Sequence, residues 1–94
     1  MPVDFAVTLR WPGLRMADRA VDLSEGGLAV ETSEPLDAMT LVSLRLELPY
    51  LQQPVDVLGR VVWTGPSLMG IRFESSDSRV FDSLHRLRQD IARI

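Results

Sequence analysis

Residues 42–48, VSLRLEL, and 55–63, VDVLGRVVW, place an apolar side chain at every second position over two long runs. Val42, Leu44, Leu46 and Leu48 alternate with Ser43, Arg45 and Glu47. Val55, Val57, Gly59, Val61 and Trp63 alternate with Asp56, Leu58, Arg60 and Val62. A period of two marks a strand with one buried face, because successive side chains leave an extended backbone on opposite sides. On this count Trp63 is inward-facing and belongs to the core.

The same period extends in both directions. Val3, Phe5, Val7 and Leu9 form a first strand, which Trp11-Pro12-Gly13 ends as a turn. Trp11, placed in that turn, is a candidate for exposure and contact. A second strand runs from about Arg15 to Leu23, with Ala17, Arg19, Val21 and Leu23 on one face. Ser24-Glu25-Gly26-Gly27 is a tight reversal, Leu28–Glu31 begins a third strand, and Thr32–Ala38 is a loop. The segment 49–54 links the two long strands. Gly65-Pro66-Ser67 is a hairpin turn, after which Met69, Ile71 and Phe73 face inward on a sixth strand. Short strands at hairpin spacing mean an antiparallel sheet, and at this length closure into a small barrel is what removes the exposed edges. Near residue 76 the period changes. Ser75-Ser76-Asp77-Ser78 reads as a helix N-cap cluster, and Val80, Leu84, Leu87, Ile91 and Ile94 recur at helical spacing beside Phe81. The expected architecture is therefore all-β: a six-stranded antiparallel barrel over about 3–74 with one C-terminal α-helix over about 77–93. All 94 residues form a single domain. The helix stripe is expected to pack on the barrel, with a dimer seam as the alternative.

Composition narrows the function. There is no cysteine and only one histidine, His85, which excludes thiol catalysis, zinc ribbons and His-pair metal sites. His85 falls off the helix stripe and reads as a surface residue. The acids Glu31, Glu34 and Asp37 have no nucleophile or second base beside them, so no enzyme is expected. No apolar run approaches the roughly 20 residues of a membrane span. The N-terminus lacks the basic-then-apolar pattern of a signal peptide, so a reducing cytoplasm is the expected compartment. The net charge of −3 argues against non-specific nucleic-acid binding. All ten basic residues are arginine, which suits planar, bidentate recognition of phosphate or guanine at a few positions.

One segment carries chemistry. Asp22-Leu23-Ser24-Glu25-Gly26-Gly27 contains Asp-x-Ser-x-x-Gly between two strands. Asp22 and Ser24 are two apart and share a side of the extended chain. An ionised Asp22 accepts two N–H bonds from a guanine edge or holds an arginine, and Ser24 donates to a phosphate oxygen. Gly26 and Gly27 let backbone amides approach a ligand with no Cβ in the way. The plain alternative is a hairpin turn, where Asp, Ser and Gly are all favoured for backbone reasons.

This motif resembles the second nucleotide-binding motif of PilZ domains, bacterial receptors for cyclic di-GMP. Val3-Asp4-Phe5-Ala6-Val7, Gly59-Arg60-Val61-Val62-Trp63 and Met69-Gly70-Ile71-Arg72-Phe73 resemble the first, fifth and sixth strands of that family. The resemblance implies a six-stranded barrel with a C-terminal helix, cyclic di-GMP as ligand, no cofactor, and Asp22, Ser24, Gly26 and Gly27 as ligand-binding residues. Arg19, Arg60 and Arg72 are candidate accessory residues. Arg60 and Arg72 face outward on adjacent strands as an anion-facing patch, or else as a cross-strand ladder with Asp56 or Glu74.

The family also carries Arg-x-x-x-Arg just before the first strand, and these 94 residues do not. Arg15 and Arg19 have the spacing, but along a strand their side chains stand about 13 Å apart. Without two bidentate arginines, and with Asp22 repelling phosphate, binding is expected to be weakened or lost. Either the natural start lies upstream, or the domain has given up the nucleotide. Three function classes follow: a cyclic di-GMP signalling receptor, a nucleotide-independent adaptor acting on an unidentified protein partner in pilus assembly or motility, and a small barrel of the OB type binding nucleic acid. The last requires basic strand faces bearing aromatics, which the sequence lacks.

Overall fold

The computed structural model describes residues 1–24, 26–48, 52–74 and 86. Six strands occur in the order β1 (Pro2–Trp11), β2 (Leu14–Leu23), β3 (Gly27–Glu31), β4 (Leu41–Leu46), β5 (Val55–Thr64) and β6 (Leu68–Phe73). They close into an antiparallel barrel in the spatial order β1-β2-β3-β6-β5-β4, with β4 returning to β1 through Val7↔Leu46 and Leu9↔Leu44. Closure gives each of the six described strands a neighbour on both sides, which removes the edges that would recruit another chain. The expected C-terminal helix over about 77–93, with His85, lies outside the described residues. No helix among the described residues is long and apolar enough to cross a membrane.

Local chemistry sets each reversal. Trp11 pairs with Leu14 across a two-residue loop, and Gly13 takes φ 79°, a conformation in which a Cβ would crowd the following backbone. Trp11, a candidate for exposure from its place at the turn, ends β1 and packs half-buried against the core. At the 65–67 turn the Gly65 N–H donates to the Leu68 carbonyl at 2.7 Å. Thr40 closes the 37–40 turn, its hydroxyl donating to the Asp37 carbonyl at 2.7 Å.

The barrel interior follows the period of two. Phe5, Val7 and Leu9 of β1 are buried, as are Val42, Leu44 and Leu46 of β4 with Leu48 beyond it, and Met69, Ile71 and Phe73 of β6. The interior-facing Gly59 leaves the room that Ile71 and Leu44 occupy. Thr32 is the buried polar residue of this set. Its hydroxyl donates to Met16 Sδ at 3.6 Å and accepts the Glu34 N–H at 3.1 Å, so burial leaves neither role unfilled.

Two strands depart from simple alternation. In β2 the register passes from Ala20↔Val30 to Asp22↔Ala29, which makes Val21 an extra residue. In β5 it passes from Val61↔Ile71 to Trp63↔Gly70, with Val62 extra. Each bulge reverses the side from which the following residue projects. The face expected for β2 is therefore split: Ala17 and Arg19 are exposed, while Leu23 is buried alongside Ala20. Trp63 likewise points outward, 48% exposed, rather than into the core.

Candidate ligand-binding face

The two bulges lie on either side of the β3–β6 pair and turn Asp22 and Trp63 onto the same outer surface. Cross-strand pairing arranges this surface in two rows. The first runs Asp22–Ala29–Gly70–Trp63 over β2, β3, β6 and β5. The second runs Ser24–Gly27–Arg72–Arg60, with Ser24 joined to Gly27 through the turn. At the usual strand spacing the ends of a row stand about 14 Å apart. Ala29, Gly70 and Gly27 present almost no side chain, so the middle of the surface is low and its ends are high. The result is an open groove of about 380 Å³ that includes Asp22, Ser24, Gly26, Gly27, Trp63 and Arg72.

All four residues expected to bind ligand, Asp22, Ser24, Gly26 and Gly27, thus line one groove. Asp22 is 59% exposed, and one carboxylate oxygen accepts from the Met1 α-amino group at 2.6 Å. That hydrogen bond holds the Asp22 carboxyl below the usual carboxylate range. Ser24 closes the turn: its N–H and its hydroxyl both donate to the Gly27 carbonyl, at 2.9 and 3.2 Å. Gly26 accepts the Phe73 N–H at 2.7 Å and has open space where a Cβ would project. Gly27 is different. A Cβ there would collide with the Ile71 carbonyl oxygen, so this glycine is required by the approach of β3 to β6.

Trp63 is the groove residue that alternation hides. Its indole lies across Gly70, and a Cβ on Gly70 would overlap the indole Nε1. The signal in the sequence is a tryptophan that pairs with a glycine on the next strand, an aromatic ring covering a bare stretch of backbone. A flat, half-exposed ring beside a small-residue floor offers a stacking surface for a planar base.

The three accessory arginines separate. Arg19 forms an ion pair with Asp4 on β1 and stands away from the groove. Arg60 donates to Glu74 at 3.0 Å and to the Met39 carbonyl at 2.9 Å, so it serves the ladder and the 37–40 turn. Asp56 pairs with Arg45 rather than with Arg60 or Arg72. Arg72 lines the groove, with one contact of 3.4 Å to Glu74. Among the described residues no three acidic, histidine or cysteine side chains come together as a metal site.

These features define a closed six-stranded antiparallel barrel with a tryptophan-walled groove on its outer surface. The family model of the PilZ domain matches residues 1–90, and the chain belongs to that family. Among solved structures it is similar to the PilZ domain of CeSA from a cellulose-synthesising bacterium (TM-score 0.80, 22% identity, covering 98% of this chain and 96% of that one). It is also similar to the Bacillus subtilis inhibitor of motility, MotI/DgrA (TM-score 0.73, 17% identity, 99% of this chain and 48% of that one). No curated protein matches the sequence.

Proposed function

We propose that this PilZ domain is a cytoplasmic signalling module, a binder rather than an enzyme, whose groove receives cyclic di-GMP. Asp22 accepts from a guanine edge, the amides near Gly26 approach the ligand, and the Trp63 ring stacks on a base. Ser24 supplies its hydroxyl to phosphate by giving up a 3.2 Å bond. The observation that carries the reading is the placement of Asp22, Ser24, Gly26, Gly27, Trp63 and Arg72 around one small-residue floor. The 94 residues by themselves hold the dinucleotide weakly, because no arginine pair spaced four apart precedes β1 in them. Two charge-assisted contacts at about 1.5–3 kcal/mol each correspond to a deficit of roughly 100- to 10,000-fold.

Calorimetry with cyclic di-GMP tests this on the 94-residue chain and on the same chain preceded by a segment bearing Arg-x-x-x-Arg. Tighter binding by the extended form is expected. Micromolar binding by the 94 residues alone would refute the deficit, and no binding by either form would refute the receptor reading.

A second reading, as a nucleotide-independent adaptor acting through a protein partner, rests on a different surface. Leu41 and Leu58 are exposed on the outer side of β4 and β5, beside a hollow that Trp11 and Pro12 help to line. The motility inhibitor to which the chain is similar lends this reading its direction.

A further inference from the structure

Arg72 lines the groove, and Glu74, two residues further along the chain, is its ion-pair partner. Arg72 projects outward from β6 between Gly27 on β3 and Arg60 on β5. Arg72 lines the groove together with Ser24 and Gly27, and it is 63% exposed. Glu74 receives two arginines on one carboxylate oxygen: Arg60 Nε at 3.0 Å and Arg72 at 3.4 Å. The two bonds are unequal. Arg60 is more buried and has a second anchor on the Met39 carbonyl, whereas among the described residues Arg72 has Glu74 alone. Removing Arg72 from Glu74 therefore breaks one long, exposed bond and leaves the carboxylate paired.

We propose that Arg72 is an exchangeable phosphate-binding residue of the groove, and that Glu74 is the internal anion that competes with the ligand for it. When a phosphodiester occupies the floor between Gly27 and Trp63, Arg72 transfers from Glu74 to a phosphate oxygen. Arg60 then keeps Glu74 and the 37–40 turn in place. The exchange needs only side-chain rotation, since both strands keep their register. Glu74 sets the affinity without touching the ligand, as a positioning residue. This inference rests on the receptor reading above, and the ligand class is an anionic phosphodiester.

The test is a double-mutant cycle in the 94-residue and arm-extended chains, read by calorimetry with cyclic di-GMP. Arg72→Gln is expected to weaken binding roughly 10- to 100-fold, the range of a charge-assisted hydrogen bond. Glu74→Gln is expected to tighten it about two- to fivefold, the strength of an exposed competing ion pair. The distinctive result is that Glu74→Gln has no effect once Arg72 is glutamine. A gain from Glu74→Gln that survives in the Arg72→Gln background, or no gain at all, overturns the proposal. The Arg72 side-chain Nε–H resonance, titrated with inorganic pyrophosphate, supplies a readout independent of the nucleotide. Movement of that resonance at lower pyrophosphate in Glu74→Gln supports the exchange even where cyclic di-GMP fails to bind, and no movement in either protein refutes it.

Discussion

The two glycines that end the Asp-x-Ser-x-x-Gly motif are adjacent in sequence, yet alanine should have opposite consequences at them. At Gly27 an added Cβ meets the Ile71 carbonyl oxygen head-on, and Arg72 Cα and the Ile71 carbonyl carbon lie at 3.0 Å. All three atoms are backbone of β6, so no rotamer relieves the overlap. β3 must instead shift off β6 along the pairing that runs from Gly27↔Arg72 to Glu31↔Leu68. Overpacking of this kind costs roughly 1–3 kcal/mol, and forced strand separation belongs at the upper end. For a domain of this size each kcal/mol moves Tm by about 4–8 °C, so Gly27→Ala should lower Tm by roughly 10–20 °C. At Gly26 no heavy atom lies within 4 Å of the added Cβ. Gly26→Ala should stay within about 0.5 kcal/mol of the parent. Thermal melts followed by circular dichroism, with urea titrations at 25 °C, measure both. A Gly27→Ala protein melting within about 3 °C of the parent, or a Gly26→Ala protein equally destabilised, would refute the assignment of Gly27 to strand approach. If the expected pattern holds, any loss of nucleotide binding in Gly26→Ala is a statement about the ligand and not about folding.

Gly70→Val should expel the Trp63 indole from its place across β6 with little loss of stability, because the ring has solvent to turn into. A red-shifted tryptophan emission checks it, and an unchanged spectrum counts against the ring-on-glycine contact. Asp18 carries a buried carboxylate oxygen without a partner among the described residues, and burial raises its pKa, with the Thr32 hydroxyl opposing the rise and the nearby Glu34 charge adding to it. A raised folded-state pKa means the folded protein binds the extra proton, so stability falls as pH climbs from the unfolded value of about 3.9 through the folded one. Asp18→Asn should therefore gain about 0.5–1 kcal/mol at pH 7 and nothing at pH 3 by urea denaturation, and an equal gain at both values would exclude the carboxylate as its cause.

The sequence states the barrel more plainly than the groove. Alternation at Phe5, Val7 and Leu9, at Val42, Leu44 and Leu46, and at Met69, Ile71 and Phe73 identifies the buried faces, because transfer of those side chains out of water acts at every second residue of a strand. The turn residues locate the reversals, and Asp-x-Ser-x-x-Gly marks the hairpin that lines the groove. Assignment of Arg60 to a ladder with Glu74 was one of two alternatives open in the sequence, and contact geometry selects it over Asp56.

What only the tertiary structure decided is which way Asp22 and Trp63 point. Counting by twos puts Trp63 inside with Val57 and Val61, and it groups Leu23 with Ala17 and Arg19. A single unpaired residue at Val21 and another at Val62 reverse both assignments. A bulge has no composition of its own. It forms where opposing strands of a closing barrel must bend, so its position depends on partners distant in the chain: Val30 and Ala29 for one, Ile71 and Gly70 for the other. The local pattern reports how each residue partitions between water and the interior. The outward turn of the groove residues arises from barrel closure, an energy shared among strands that no single stretch of sequence contains.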